Sequence, residues 1–160
     1  MNKIYDLLKN KKSVIAFDVD GVLAVIKFGE RNHFVTDEEW ENITKNNINT
    51  YTEDIISNKM KDFISTRNMD NIYVITKVNN ENEYNQKVDF CSKFYNIKRE
   101  NVFYVKREEE KAGVLQKIKE NYKELPDENI IMVDDTTDVL TDVMEKTSFS
   151  TAHISLFLDI

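Results

Sequence analysis

The apolar residues of this chain fall into short, unbroken runs that are separated by longer amphipathic stretches. Runs rich in β-branched and aromatic side chains predict strands that are buried on both faces. They are Val14–Phe17, Ile72–Ile75, Val102–Val105 and Ile130–Val133, with a fifth, weaker candidate at Ala152–Leu158. Helical periodicity predicts helices at about Tyr51–Ser65, Glu81–Tyr95, Glu108–Tyr122 and Thr136–Lys146. Strands that alternate with helices predict right-handed crossovers and a parallel sheet with helices on both faces.

The residues that follow each predicted strand are polar and chemically complementary. They are Asp18-Val19-Asp20-Gly21, Thr76-Lys77, Lys106-Arg107 and Asp134-Asp135. In a parallel sheet, ligands bind beyond the carboxyl ends of the strands, so all four sets should lie at one edge. Polar residues that merely end strands would account for any one set, but account poorly for all four. Carboxylates at the end of a buried strand are also costly unless a cation or a proton compensates them.

A calcium-binding loop of the EF-hand type is an alternative for Asp18 and Asp20. Such a loop has Gly at its sixth position, a bidentate Glu at its twelfth, and a helix before it. Counted from Asp18, Gly21 is fourth, Gly29 is twelfth, and a predicted strand comes before. The pattern therefore disfavours a calcium loop.

Composition and charge narrow the class of protein. The 160 residues are 41% hydrophobic and 32% charged, with one Pro and three Gly, which leaves no room for a flexible linker. We expect a single domain over residues 1–160. The lone Cys91 excludes an internal disulfide and fits the cytoplasm, and no apolar stretch approaches transmembrane length. A net charge of -7 argues against broad contact with nucleic acid, although a local basic patch beside a phosphate site is compatible with it.

Taken together, the polar sets resemble the signature of haloacid dehalogenase (HAD) superfamily phosphatases. That signature is four ordered motifs: Asp-x-Asp-Gly after the first strand, Ser or Thr after the second, a Lys near the start of a later helix, and an acidic pair after the fourth strand. Asp18 to Gly21, Thr76 and Asp134-Asp135 match three of them. The resemblance spans most of the chain. It implies an α/β, Rossmann-like three-layer sandwich with a mostly parallel five-stranded sheet and a small flap after strand one.

The resemblance also implies a chemistry. Asp18 would attack phosphorus and form an aspartyl-phosphate, and Asp20 would protonate the leaving oxygen and then activate water. Thr76 would bind the phosphate. A Mg²⁺ ion would be held by the Asp18 carboxylate, the backbone carbonyl of Asp20 and the Asp134 carboxylate, because two anions would otherwise repel each other. Gly21 would let the chain turn past the phosphate.

The lysine of the third motif has three candidates. One face of the third long helix carries Lys111, Leu115, Ile118 and Tyr122. Lys111 therefore lies on a core-facing stripe in the first turn, where the helix dipole disfavours a cation unless an anion lies opposite. We favour Lys111 as the residue that neutralises Asp18 and the phosphate, ahead of Lys106 and Lys77.

Several further residues have two readings each. Asp135 and Asp138 could help to order the metal, or could form a capping pair for the helix that begins near Thr136. Structural roles fit three others better than catalysis: Cys91 as a buried thiol, His153 in the core or at its rim, and Trp40 as an anchor for the segment after the first motif.

The segment of about 22–50 has room for a β-hairpin flap and a short helix, but not for a folded cap domain. This resembles the capless subgroup, whose open site admits bulky phosphoesters or is covered by a second copy of the chain in a homo-oligomer. The hairpin tip is predicted at Lys27–Phe34. There Glu30, Arg31 and His33 could contact the substrate, with a plain exposed turn as the equal alternative.

The predicted function is a magnesium-dependent phosphomonoester hydrolase that acts on a small phosphorylated metabolite or nucleotide. The alternative is a catalytically idle HAD-like module that binds phosphorylated ligands or partners. The presence of both Asp18 and Asp20 favours the enzyme, because a binding module needs no acid or base.

Overall fold

The computed structural model describes residues 3–31 and 33–159 and contains one five-stranded parallel sheet. Its strands are β1 (Val14–Phe17), β2 (Ile72–Lys77), β3 (Val102–Val105), β4 (Ile130–Asp134) and β5 (Ser150–His153). They are arranged in the order β3-β2-β1-β4-β5, and every pairing is parallel. The predicted Rossmann-like α/β architecture is confirmed.

The register of the sheet brings the polar strand ends together. Phe17, the last residue of β1, pairs with Val74 of β2 and with Val133 of β4. The next residue along β4 is Asp134, and Thr76 lies two positions beyond Val74. Asp18, Thr76 and Asp134 therefore converge at the carboxyl edge of the three central strands.

The helices mostly follow the apolar periodicity. They are α1 (Lys3–Lys9), α2 (Asp37–Lys45), α3 (Asn58–Ser65), α4 (Glu81–Tyr95), α5 (Lys111–Lys119) and α6 (Thr137–Lys146). α4 has the predicted bounds, and α6 begins one residue later than predicted. Short 3₁₀ turns at Glu108–Glu110 and Glu120–Tyr122 flank α5, so the predicted helix over Glu108–Tyr122 is α-helical only in its middle. α1 was not predicted.

The helix predicted over Tyr51–Ser65 is wrong in its first half. That half contains a 3₁₀ turn at Glu53–Ile55, and α3 begins only at Asn58, after Ser57 caps it by accepting a hydrogen bond from the Met60 N–H. The N–H of Val25 donates to the carbonyl of Ile55, and the N–H of Ser57 donates to that of Leu23. These bonds to the loop after β1 use the backbone groups that a continuous helix would need.

The fifth strand also differs from the prediction of Ala152–Leu158. It spans Ser150–His153, and Ile154–Leu158 forms a 3₁₀ helix. The His153 ring accepts a hydrogen bond from the Ser155 N–H and so turns the chain out of the sheet. Phe157 then packs edge-to-face on Phe63, with ring centroids 4.9 Å apart, which explains the apolar character of this segment.

The predicted hairpin at Lys27–Phe34 is not a hairpin: none of its described residues (Asn32 lies outside them) belongs to a strand. The chain turns at Gly29, whose φ is +96°, and the Glu39 carboxylate accepts hydrogen bonds from the N–H groups of Glu30 and Thr36, each at 2.7 Å. These bonds lower the pKa of Glu39, with Thr36 the larger cause. The loop is held by the capping box of α2 and not by cross-strand pairing.

Hydrophobic cores lie on both faces of the sheet. Ile15 and Phe17 of β1 face one core, together with buried residues of α3 and α4 such as Phe63 and Phe90. Val14 and Ala16 face the other core, with buried residues of α5 and α6, among them Leu115, Ile118 and Val143. Burial of each such side chain contributes about 1.5–3 kcal/mol. No helix in the described part of the chain is both long and apolar enough to cross a membrane.

Candidate active site

Asp18 and Asp134 lie at the carboxyl edge of the sheet and share the ammonium of Lys111. The Asp18 N–H donates to the carbonyl of Val133 at 3.0 Å, which fixes Asp18 at the end of β1. Lys111 Nζ lies 3.0 Å from Asp18 Oδ1 and 2.9 Å from Asp134 Oδ2. The same ammonium is 2.8 Å from Glu108 Oε2. All but Glu108 are buried, although Asp18 keeps a small exposed fraction that faces the cleft described below.

The electrostatics of this cluster follow from burial. Burial raises the pKa of Asp18 to about 7; Lys111 opposes this shift, and the neighbouring Asp134 adds to it. Burial by itself would lower the pKa of Lys111, but Asp18 and Asp134 outweigh it and raise that pKa well above its usual value. Lys111 is therefore a permanent cation held between the two aspartates.

The carboxylate oxygens of this cluster are suitable ligands for a hard divalent cation. Lys111 contacts one oxygen of each aspartate, and the second oxygen of Asp134 accepts a hydrogen bond from the Thr136 N–H at 2.9 Å. Mg²⁺ prefers oxygen ligands and is usually held by one or two carboxylates. Within residues 3–31 and 33–159, no cluster of three or more His, Cys, Asp and Glu side chains is arranged around a common metal position. Asp18 and Asp134 could supply two side-chain ligands, and a third would have to come from the backbone.

The structure separates the three candidate lysines of the third motif. Lys111 is 1% exposed and contacts Asp18. Lys106 is exposed, and its ammonium lies 5.5 Å from the centre of the Tyr104 ring. Lys77 is also exposed and contributes its backbone carbonyl to the site rather than its ammonium.

A second buried lysine, Lys87 of α4, was missed by the sequence analysis. Its Nζ lies 2.7 Å from Asp20 Oδ2, 3.0 Å from Glu83 Oε1 and 3.1 Å from the Thr76 hydroxyl. Burial opposes the charge, but Asp20 and Glu83 outweigh it and raise the pKa of Lys87 to about 12. A signal was available, because Lys87 lies within the apolar stripe formed by Tyr84, Val88 and Cys91, much as Lys111 lies within its own stripe.

Tyr51 is the second residue that the sequence did not indicate. Its hydroxyl donates to Asp20 Oδ1 at 2.9 Å, so both oxygens of this carboxylate are engaged. Burial raises the pKa of Tyr51, and the charge of Asp20 raises it further, so the hydroxyl keeps the proton that it donates. Nothing in the local sequence sets Tyr51 apart from an ordinary core aromatic.

Gly21 and Asp135 are in close contact. Gly21 has φ +75°, and a Cβ atom at this position would lie 2.1 Å from Asp135 Oδ2. The turn after Asp20 therefore needs glycine both for its conformation and for space. Burial, with the charge of Asp134, raises the pKa of Asp135.

The residues at the start of α6 have distinct positions. Asp135 lines the cleft in front of Asp18, whereas Asp138 is exposed and does not line it. Asp134 accepts the hydrogen bond from the Thr136 N–H at the start of α6, and Thr136 itself makes no side-chain cap. The predicted capping pair of Asp135 and Asp138 is therefore not the cap that forms.

In front of these residues lies a cleft of about 820 Å³. Its floor contains Asp18, Asp20 and Thr76, and one wall is a single face of α2, formed by Asp37, Trp40, Glu41, Thr44 and Lys45. Trp40 also packs edge-to-face on Phe28, with centroids 5.5 Å apart, so it anchors the segment after the first motif as predicted.

The predicted flap residues lie elsewhere. Glu30 and Arg31 line a separate hollow together with Glu38, on the other side of α2 from the cleft. His33 Nδ1 is 2.7 Å from the carbonyl of Arg31. The structure does not bring these three residues to Asp18.

The other two residues expected to be structural, Cys91 and His153, are placed accordingly. Cys91 is buried, and burial raises the pKa of its thiol far above the usual value, which leaves it unreactive. The Nε2 atom of His153 lies 3.0 Å from the carbonyl of Asp135, so His153 braces the loop that follows β4.

Comparison with known proteins identifies the fold. No protein-family model matches the sequence, and no curated protein matches it. The chain is similar in structure to DsGPDH of Dunaliella salina, with a TM-score of 0.54 at 16% identity. That match covers 88% of this chain and 23% of the other, so this chain spans less than a quarter of that protein.

It is also similar to the HAD domain of the effector protein Lem4 from Legionella pneumophila in two structures, one of an inactive mutant. Their TM-scores are 0.49 and, for the mutant, 0.50, at 15% and 16% identity. The matches cover 89% and 90% of this chain, and 84% and 86% of the Lem4 chains. The likeness to the mutant Lem4 HAD domain, at 0.50, indicates a HAD-like fold.

Proposed function

We propose that this protein is a magnesium-dependent phosphomonoester hydrolase that works through an aspartyl-phosphate on Asp18. The observation that carries the proposal is the cluster at the end of β1, where buried Asp18 and Asp134 share the ammonium of Lys111. A nucleophilic carboxylate on the floor of an open cleft, with a fixed cation and a further carboxylate buried beside it, suits the transfer of a phosphoryl group. The HAD-like fold supports this reading.

The first step transfers the phosphoryl group to the protein. A carboxylate oxygen of Asp18 bonds to phosphorus while the bond from phosphorus to the leaving oxygen breaks. Protonated Asp20 gives its proton to that oxygen, and the alcohol departs. Lys111, whose ammonium contacts three carboxylates, balances the charge on Asp18, and Thr76 at the floor of the cleft faces the phosphate.

The second step regenerates the protein. The Asp20 carboxylate takes a proton from water, the water oxygen bonds to phosphorus, and the bond between phosphorus and Asp18 breaks. Inorganic phosphate leaves, and Asp18 returns to its carboxylate form.

Asp18, Asp134 and the backbone carbonyl of Asp20 would hold the Mg²⁺ ion. Such an ion supplies positive charge that allows two anions to approach each other. Asp135, at the rim of the cleft, could orient water bound to the metal.

The cleft favours a small phosphomonoester as the substrate. Its volume of about 820 Å³ is of the size that holds metabolites, and Trp40 offers an aromatic face to the leaving group. Asp37 and Glu41 on the same wall can accept hydrogen bonds from hydroxyl or amino groups. We place the reaction in the cytoplasm, where Cys91 stays reduced.

A panel of phosphorylated metabolites, assayed with Mg²⁺ and then with EDTA, tests the proposal. We expect release of inorganic phosphate from at least one small phosphomonoester, and its loss with EDTA. Binding of phosphorylated ligands without any turnover, in both conditions, would favour the idle binding module instead.

A further inference from the structure

Asp20 is held from two sides by residues that belong to no motif of the proposed function. Lys87 Nζ lies 2.7 Å from Asp20 Oδ2, and the Tyr51 hydroxyl donates to Asp20 Oδ1 at 2.9 Å. The Asp20 side chain is nevertheless 27% exposed and lines the cleft, so a substrate can reach it. Its orientation is thus fixed, although it is not buried.

Lys87 is committed to the protein and has no donor left for a substrate. A lysine ammonium has three N–H donors. Four acceptors already surround Lys87 Nζ: Asp20 Oδ2 at 2.7 Å, Glu83 Oε1 at 3.0 Å, the Thr76 hydroxyl at 3.1 Å and the Lys77 carbonyl at 2.6 Å. The Lys87 side chain is also only 1% exposed. Because all its N–H donors are used within the protein, Lys87 can position other side chains but cannot bind a phosphate directly.

Tyr51 is equally fixed. Its ring packs on Phe90 with centroids 5.8 Å apart, and its N–H donates to Asn49 Oδ1 at 2.9 Å. The residue is 6% exposed. The Lys87 ammonium lies 5.7 Å from the centre of the Tyr51 ring, so the two partners of Asp20 also support each other.

We infer that Lys87 and Tyr51 are positioning residues that hold the Asp20 carboxylate in the orientation required for its role as the base that activates water. This inference rests on the proposed function. The two residues act through Asp20 and contact neither the phosphate nor the leaving group. Because Lys87 also contacts Thr76, the same ammonium fixes the residue at the phosphate end of the cleft relative to Asp20.

The inference is tested with Tyr51→Phe, Lys87→Met and Asp20→Asn, alone and combined. Tyr51→Phe removes one hydroxyl and keeps the packing on Phe90. Tyr84→Phe is the matched control, because it removes a hydroxyl that donates to the Val102 carbonyl at 3.2 Å, away from Asp20. Steady-state kinetics with an activated aryl phosphate give kcat and KM for each variant, and thermal melting confirms that each is folded.

We expect Tyr51→Phe and Lys87→Met to lower kcat by roughly tenfold or more, with KM nearly unchanged and Tyr84→Phe close to wild type. In the Asp20→Asn background, Tyr51→Phe should cause no further loss, because the interaction that it removes acts only through Asp20. If Lys87→Met fails to fold, Tyr51→Phe alone carries the test.

Two results would overturn the inference while leaving the proposed function intact. One is a rise in KM at constant kcat, which would make these residues substrate ligands. The other is a loss from Tyr51→Phe that persists in full in the Asp20→Asn background. A wild-type protein that hydrolyses no phosphomonoester would instead overturn the proposed function, and this role with it.

Discussion

The ammonium of Lys111 lies 3.0 Å from Asp18 Oδ1, although the two residues are 93 positions apart in the sequence. α5 begins at Lys111, and β1 ends one residue before Asp18. The contact therefore joins the first residue of a helix to the carboxyl end of the central strand. It places a cation at a helix N-terminus, where the dipole opposes it, because anions lie opposite.

Replacement of Lys111 by Met should destabilise the fold as well as impair activity. The change leaves buried Asp18 and Asp134 without their shared cation, and loss of one partner of a buried ion pair typically costs about 3–5 kcal/mol. We expect a loss of this order in the free energy of unfolding measured with urea at pH 8. Lys106→Met, at an exposed position, should change it by less than about 0.5 kcal/mol. Equal effects of the two substitutions would contradict the central role of Lys111.

Asp18→Asn should abolish turnover and leave the fold intact. The amide is a far poorer nucleophile than the carboxylate and a weaker ligand for a metal. Mass spectrometry of acid-quenched wild-type protein should find the phosphoryl group on the peptide that contains Asp18, and the variant should carry none. Full activity of Asp18→Asn would exclude the covalent mechanism.

Parts of this site could be predicted from the sequence, because an apolar run marks a strand and the residues after it lie at the carboxyl edge of the sheet. Unbroken apolar runs fixed β1 and β4, and the parallel register then required Asp18 and Asp134 to be neighbours. Lys111 could be predicted as well, because a cation in the first turn of a helix conflicts with the helix dipole unless an anion lies opposite. Tyr51 could not be found in this way, because its contact with Asp20 depends on how the segment before α3 packs on α4. The wall formed by α2 could not be predicted either, because none of its nine residues is buried and its orientation toward the cleft depends on contacts distant in sequence.

Asp18 should make the stability of the metal-free protein depend on pH. Its pKa is about 7 in the folded protein, against 3.8 for an unperturbed aspartate carboxyl. A raised pKa means that the folded state favours the protonated carboxyl. The stabilisation that Asp18 contributes is therefore fully present below about pH 4 and is lost as the pH rises through about 7. The stability of Asp18→Asn relative to wild type, measured with urea in EDTA, should therefore increase between pH 4 and pH 8. A difference that is constant across this range would contradict the raised pKa.

Two glycines should respond in opposite directions to replacement by alanine. At Gly21 the new Cβ would lie 2.1 Å from Asp135 Oδ2, on a backbone with φ +75°, so we expect a loss of stability of about 1–3 kcal/mol. At Gly113, within α5, no atom lies within 4 Å of the added Cβ, and alanine should stabilise the helix by about 0.5–1 kcal/mol. Thermal and urea denaturation of both variants measure the two effects. A neutral Gly21→Ala would show that the turn after Asp20 can relax.

The last prediction concerns the leaving group. Trp40 lines the same cleft as Asp18 and Asp20, and stacking of a base on an aromatic side chain is worth about 1–3 kcal/mol. Trp40→Ala should therefore raise KM for a nucleoside 5′-monophosphate roughly tenfold, and leave KM for glycerol phosphate, which has no ring, almost unchanged. Glu38→Gln is the matched control, because Glu38 belongs to the same helix but lines the hollow on its other side. A similar rise for both substrates, or the same effect from Glu38→Gln, would indicate that Trp40 only supports α2. A rise confined to the ring-bearing substrate would assign this wall of the cleft to recognition of the leaving group.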